Sequence, residues 1–131
     1  MLKAENAKKK NNKVNGTYSA WFDKGIVEGG AAAYFNGIHP TYDLHAGESE
    51  TGFGLMRYPE LLDKAQIASL KPNYEGEFLF ERIGAGAKDF IECGAPDAYF
   101  GDPAAATAEN ADKQYDVFSD YVVDEVRALL G

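Results

Sequence analysis

The chain has 131 residues, 45% of them hydrophobic and 13% aromatic, enough for one domain with a core and too few for two. Its formal net charge is −8; five lysines against the single Glu5 make residues 1–13 locally +4, so the rest of the chain carries −12. So acidic a body excludes nucleic acid and an anionic membrane as its main partners, and the single cysteine, Cys93, excludes an intrachain disulfide and a thiolate metal cluster.

Residues 1–16 read as a flexible basic leader that ends at the turn signal Asn15-Gly16, and residues 17–131 as a single domain. The lysines are not followed by the apolar run of a signal peptide, and no stretch approaches the roughly 20 apolar residues that cross a bilayer. A soluble, cytoplasmic protein is the expectation. From Thr17 the chain turns aromatic (Tyr18, Trp21, Phe22), then passes Gly29-Gly30 into Ala31-Ala32-Ala33-Tyr34-Phe35, a segment that reads equally as a loop with a short helix or as a strand. His39-Pro40 favours extended backbone, because proline pushes the preceding residue out of the helical region.

A helix is expected after Glu48, capped by Ser49 or Thr51, with Phe53, Leu55 and Met56 as its apolar contacts. Pro59 ends it or starts another, with Leu61, Leu62 and Ile67 following. Glu77–Ile83, aromatic and partly alternating, is the best strand candidate, closed by Gly84-Ala85-Gly86. Asp102-Pro103 reads as a helix start, with Asp102 as N-cap and Pro103 in the first turn. Tyr115, Phe118, Val122, Val126 and Leu129 then recur at spacings of three and four, an apolar face expected to lie on a sheet. The acids between them (Asp112, Asp116, Asp120, Asp124, Glu125) form its solvated side.

The chemistry concentrates in Asp43-Leu44-His45-Ala46-Gly47-Glu48-Ser49-Glu50-Thr51. An imidazole and a carboxylate three residues apart, His45 and Glu48, can ligate one divalent ion, or one can orient the other for proton transfer. Asp43 can hold the far nitrogen of His45 and fix its tautomer, and the small Ala46-Gly47 step lets a backbone approach a substrate or ion. The competing reading is structural: Glu48 and Glu50 are acids of a helix N-terminus, where capping and the helix dipole favour them.

Elsewhere the signals are weaker. His39 reads as a loop histidine within reach of the same cleft, and Trp21, Phe22 and Tyr34 as core aromatics that can also wall a pocket for a small planar substrate. Gly84-Ala85-Gly86 lacks the strand and helix context of a nucleotide-binding turn. Cys93 has no activating neighbour in sequence and reads as a buried small hydrophobe.

Asp-x-His-Ala-Gly-Glu-x-Glu-Thr, followed by a short helix and Pro59-Glu60-Leu61-Leu62, resembles the signature of the creatininase family of metal-dependent amidohydrolases. Gly101-Asp102-Pro103 with Ala106-Thr107-Ala108-Glu109 is similar to the same family's approach to its last helix. Together the two motifs cover residues 43–125, in the family's order. The resemblance implies an α/β fold, a creatininase-like layered sheet with flanking helices, of which residues 17–131 are one half-domain corresponding to the C-terminal half. It implies a divalent metal (Zn, Mn or Fe) in a two-metal site. The family's Glu-x-His…Asp motif and Gly-His turn are absent here, and Gly52 stands where the family often has serine.

The resemblance therefore implies a split enzyme: a hetero-oligomer in which a partner chain carries the N-terminal half of the fold and most of the metal ligands, in a family that forms symmetric hexamers. The expected reaction is hydrolysis of a C–N bond, in a cyclic amide or formamide, of a small-molecule substrate. His45 would be the general acid or base, Asp43 would orient substrate or His45, Glu48 would lie at the second metal, and Glu50 would be structural. The alternatives are the branch of the family that opens carbohydrate or cyclitol rings, and a relative that binds or scaffolds without catalysis.

Overall fold

The computed structural model of the chain describes residues 25–26, 29–37 and 40–131. The basic leader, Trp21, Phe22 and His39 lie outside these. Four α-helices carry the described part: α1 (Glu48–Arg57), α2 (Lys64–Ser69), α3 (Leu79–Gly84) and the long α4 (Ala108–Leu130). Single 3-10 turns fill the connections, at Ala31–Tyr34, Pro40–Tyr42, Pro59–Leu61, Glu75–Phe78 and Pro103–Ala105. None of the helices among the described residues is long and apolar enough to cross a membrane.

The expected layered sheet does not appear among the described residues. What stands in its place is a pair of isolated antiparallel bridges, His45 with Phe100 and Asn73 with Gly101. The stretch at 99–101 is thus stitched to two distant segments: the Phe100 amide donates to the His45 carbonyl at 2.8 Å, and Asn73 and Gly101 exchange amide bonds at 2.8 and 3.1 Å. The Asn73 side chain completes the junction. Its amide nitrogen donates to the carbonyls of Gly94 (3.1 Å) and Tyr99 (3.0 Å), and its oxygen accepts from the Glu75 amide at 2.8 Å. A polar side chain that satisfies three loop backbone groups does locally what a ladder does in a sheet.

The strand expected at Glu77–Ile83 is helical, split between the turn at Glu75–Phe78 and α3. Strand preference depends on a neighbouring strand to pack against, and none is offered among the described residues. The helical spacing instead turns Leu79 into a core cluster with Cys93, Ala95 and Phe100, and sends Arg82 to the Cys93 carbonyl at 2.6 Å and to the Glu75 carboxylate. The aromatic residues that suggested a strand, Phe78 and Phe80, are left 41% and 74% exposed. Cys93 is buried in this cluster, as its sequence context indicated.

The last helix begins later than Asp102-Pro103 suggests. Pro103–Ala105 makes one 3-10 turn, Ala106 and Thr107 are extended, and α4 starts at Ala108. Thr107 is its N-cap, accepting the Asn110 amide at 3.1 Å, whereas Asp102 makes no capping bond. The expected packing of this helix on a sheet is likewise replaced: α4 lies against α1 and the turn at Ala31–Tyr34. The α1–α4 contact is close because Gly52 faces Ala111; a Cβ at Gly52 would lie 2.9 Å from the Ala111 Cβ and 3.3 Å from the Thr107 carbonyl oxygen. Phe53, Tyr115 and Phe118 extend it as a chain of rings with centroids 4.9 and 5.7 Å apart.

Only the first part of the predicted apolar face is buried. Phe118 packs with Ile26 and Ala31, and Tyr115 against them, whereas Val122, Val126 and Leu129 remain 39%, 46% and 40% exposed. The acids Asp112, Asp116, Asp120 and Asp124 do lie on the solvent side, whereas Glu125, expected with them, is half-buried. Unfolding by denaturant should therefore distinguish two positions four residues apart on this face. Phe118→Ala should cost about 3–5 kcal/mol, the usual loss for a buried phenylalanine. Val122→Asp should cost no more than about 1 kcal/mol, since its charge stays in water.

Candidate functional site

The candidate segment folds around Asp43 rather than around a ligand. An α-helix leaves its first amides without internal partners, and the N-cap of α1, Gly47, has no side chain to offer them. Asp43, four residues upstream of that cap, takes its place. Its Oδ1 accepts from the Glu48 amide at 2.5 Å, and its Oδ2 accepts from the Ser49 amide at 3.2 Å and the Ser49 hydroxyl at 2.5 Å. Ser49, expected to cap the helix, instead helps to hold the residue that does. The Ala46-Gly47 step does admit a close approach, but by Asp43 and the Phe100 carbonyl, with both of which a Cβ on Gly47 would collide.

Glu48 also points inward. It is 3% exposed, and its two oxygens accept from the amides of Asn36 (2.6 Å) and Gly37 (2.8 Å). The carboxylate thus ties the loop before the motif to the first turn of α1. Asn36 is fixed a second time, its side-chain amide donating to the Ala105 carbonyl at 3.2 Å.

His45 faces the other way. Its side chain is 47% exposed, its ring lies 5.0 Å from that of Phe90, and its Nδ1 is 3.8 Å from Glu50 Oε2. Phe90 in turn stands edge-on to the buried Phe100, centroids 5.8 Å apart. The sequence assigns Asp43 to orient substrate or His45; its oxygens accept from the Glu48 amide and from Ser49, and the carboxylate beside the imidazole is that of Glu50. Glu50 Oε2 also accepts the Ala46 amide at 2.5 Å. Ala46 itself has φ of 47°, the left-handed region that a residue with a Cβ seldom adopts, so the step after His45 is strained. Strain of this kind was not legible in the sequence, where alanine signals nothing unusual.

Burial pushes the Asp43 carboxyl up from its ordinary range, against the opposing effect of the bonds from Ser49 and Glu48; the nearby Glu50 charge adds to the rise. Burial likewise raises Glu48, opposed by the amides of Asn36 and Gly37 and reinforced by the charges of Asp43 and Asp102. The Tyr115 hydroxyl, half-buried, is raised by burial and then by Glu50 and Asp43, which places it in the same acidic neighbourhood.

Residues 3–126 match the creatininase family, described as creatinine amidohydrolase. The chain belongs to that family. The match takes in residues 17–42 as well, beyond the 43–125 stretch on which the two motifs rest. No curated protein and no solved structure matches the chain. Creatininase-family membership suggests an α/β fold, although the described residues are mostly helical, and it is consistent with a metal-dependent amidohydrolase. Creatininases typically use a divalent metal. Among the described residues no three His, Cys, Asp or Glu side chains converge as metal ligands. The donors of the motif explain why: Asp43, Glu48 and one oxygen of Glu50 are engaged with backbone amides, and His45 faces away from Asp43 and Glu48. The described residues therefore do not make a metal site by themselves.

Raised carboxyls have a definite sign in stability. Between its unfolded and its higher folded pKa, such a group binds more protons in the folded state, so stability falls as pH rises through that window. Denaturant midpoints measured across pH should show this loss just above the ordinary carboxylate range, and Glu48→Gln should flatten it. Carboxyl carbon titrations should place both Asp43 and Glu48 above their usual positions. Asp43→Ala, which strands buried amides, should cost about 1–3 kcal/mol at neutral pH.

Proposed function

We propose that this chain is part of a hydrolase acting on the C–N bond of a small molecule, a cyclic amide or a formamide, with His45 as its proton-transfer group. The observation that carries the reading is the division within the family motif: Asp43 and Glu48 are buried and spent on structure, whereas His45 is held at an exposed position beside Glu50. An imidazole, which can both accept and donate a proton, suits this task. In the reaction, water oxygen bonds to the carbonyl carbon and the C–N bond breaks. His45 takes the proton that water loses and returns it to the departing nitrogen, so the products are a carboxylic acid and an amine.

The family's divalent metal (Zn, Mn or Fe) and most of its ligands come, in this reading, from a partner chain in a hetero-oligomer. Its support is the incomplete donor set among the described residues, together with apolar side chains left in solvent: Leu61, Phe80, Ile91 and Leu130 are 75%, 74%, 68% and 71% exposed. Surfaces of that kind are commonly covered by another chain. As a metal ligand Glu48 would use a lone pair not taken by the Asn36 and Gly37 amides, which occupy one site on each of its oxygens. A Glu48→Gln complex with unchanged metal stoichiometry would remove it from the ligand set.

A second reading, a family member that binds or scaffolds without catalysis, is favoured by the same lack of a three-donor cluster among the described residues. Purification of the native complex, with its subunit composition, metal content and C–N hydrolysis measured together, separates the two. The hydrolase reading expects a second chain, bound metal and turnover that drops roughly 10²–10⁴-fold in His45→Ala, the usual contribution of a positioned acid–base group. A stable, metal-free monomer without hydrolytic activity favours the scaffold, and full turnover in His45→Ala excludes this role for the histidine.

A further inference from the structure

We propose that Glu50 is the residue that positions His45, holding the imidazole proton on Nδ1 and leaving Nε2 as the basic nitrogen; the proposal rests on the hydrolase reading and assigns a role the motif does not give to Glu50. Three contacts converge on the histidine. Its carbonyl is pinned by the Phe100 amide at 2.8 Å, one face of its ring meets Phe90 with centroids 5.0 Å apart, and Nδ1 faces Glu50 Oε2 at 3.8 Å. The first two fix where the ring lies, and the third distinguishes its two nitrogens. A carboxylate opposite one imidazole nitrogen favours the tautomer that carries the proton there, and the other nitrogen then presents a lone pair.

Glu50 is itself held in place for this. It sits in the first turn of α1, and the oxygen facing His45 is the one that accepts the Ala46 amide at 2.5 Å. That bond spans the strained step between the two residues, since Ala46 has φ of 47°. The loop geometry and the histidine orientation are therefore set by one carboxylate oxygen. At 3.8 Å the imidazole contact is longer than a hydrogen bond, and contacts of this kind commonly tighten only when substrate is bound. Asp43 cannot serve instead, because both of its oxygens are committed to Glu48 and Ser49.

Glu50→Gln tests the proposal cleanly, because glutamine keeps an oxygen for the Ala46 amide while removing the charge. Two measurements are needed, on the full chain and on its native complex. The first is the tautomer of neutral His45, read from two-bond nitrogen–proton correlations of the labelled chain, which requires no activity. Wild type should show the proton on Nδ1, and Glu50→Gln should shift the population toward Nε2. The second is steady-state hydrolysis, where kcat should fall about ten-fold or more with KM little changed, as for loss of an interaction used in the transition state, and Glu50→Asp should restore part of it.

A proton already on Nε2 in wild type, or a tautomer unchanged by Glu50→Gln, overturns the assignment. Loss of turnover in His45→Ala with none in Glu50→Gln overturns it too, while leaving the hydrolase reading intact. If His45→Ala retains full turnover, the hydrolase reading fails first, and the tautomer measurement still decides whether Glu50 orients the ring.

Discussion

The N-terminus of α1 leaves amides that need acceptors, and they are placed where no side chain of the helix's own cap can reach them. The Asp43 carboxylate, arriving from four residues before the cap, accepts two amides and a hydroxyl there. Much of the described structure depends on that arrangement. It bends residues 43–47 into a tight loop, excludes any side chain at Gly47, and brings the loop against the Phe100 carbonyl. A buried carboxylate at a helix N-terminus is favoured by the helix dipole and by its hydrogen bonds, and penalised by desolvation. Here the desolvation is large enough to raise its proton affinity while the bonds still hold the loop.

From that point the packing runs in two directions. Toward α4, Glu48 ties the segment at Asn36-Gly37 to α1, and Gly52 lets α1 approach Ala111. Toward the middle of the chain, the bridges at His45, Phe100, Asn73 and Gly101 join three loops without forming a sheet. Among the described residues neither direction produces a large core. The two clusters of buried apolar residues are small, and aromatic and aliphatic side chains remain in solvent along α3 and the end of α4. Hydrogen bonds to backbone, from Asp43, Glu48, Asn73 and Arg82, supply much of the order that a bigger core provides elsewhere.

The same economy shapes the chemistry. Of four ionisable side chains in nine residues, Asp43 and Glu48 are consumed in building the loop, and Glu50, which also accepts the Ala46 amide, faces outward with His45. A metal site needs several donors free at once, which the described residues do not offer, whereas proton transfer needs one imidazole with a defined orientation. That contrast is physical: a carboxylate whose oxygens already accept strong amide bonds loses them if it turns to an ion.

The family was legible in the sequence because its motif is local: Asp43, His45, Glu48 and Glu50 lie within eight residues, and the family match extends that reading over residues 3–126. Local too were α1, the solvated acids of α4, and the burial of Cys93. Which carboxylate did what was not local. Asp43 and Glu50 look equally able to serve His45 along the chain, and only the path of the backbone, bent by a left-handed Ala46, gives the first to the helix amides and the second to the imidazole. The segment 77–83 failed for a related reason. Its alternating aromatic residues signal a strand only where another strand lies beside them, and in the folded chain the contacts available to Leu79 and Arg82 belong to a helix. Sequence spacing determines which side chains can share a face; the tertiary path determines which hydrogen-bond donors are left for them to meet.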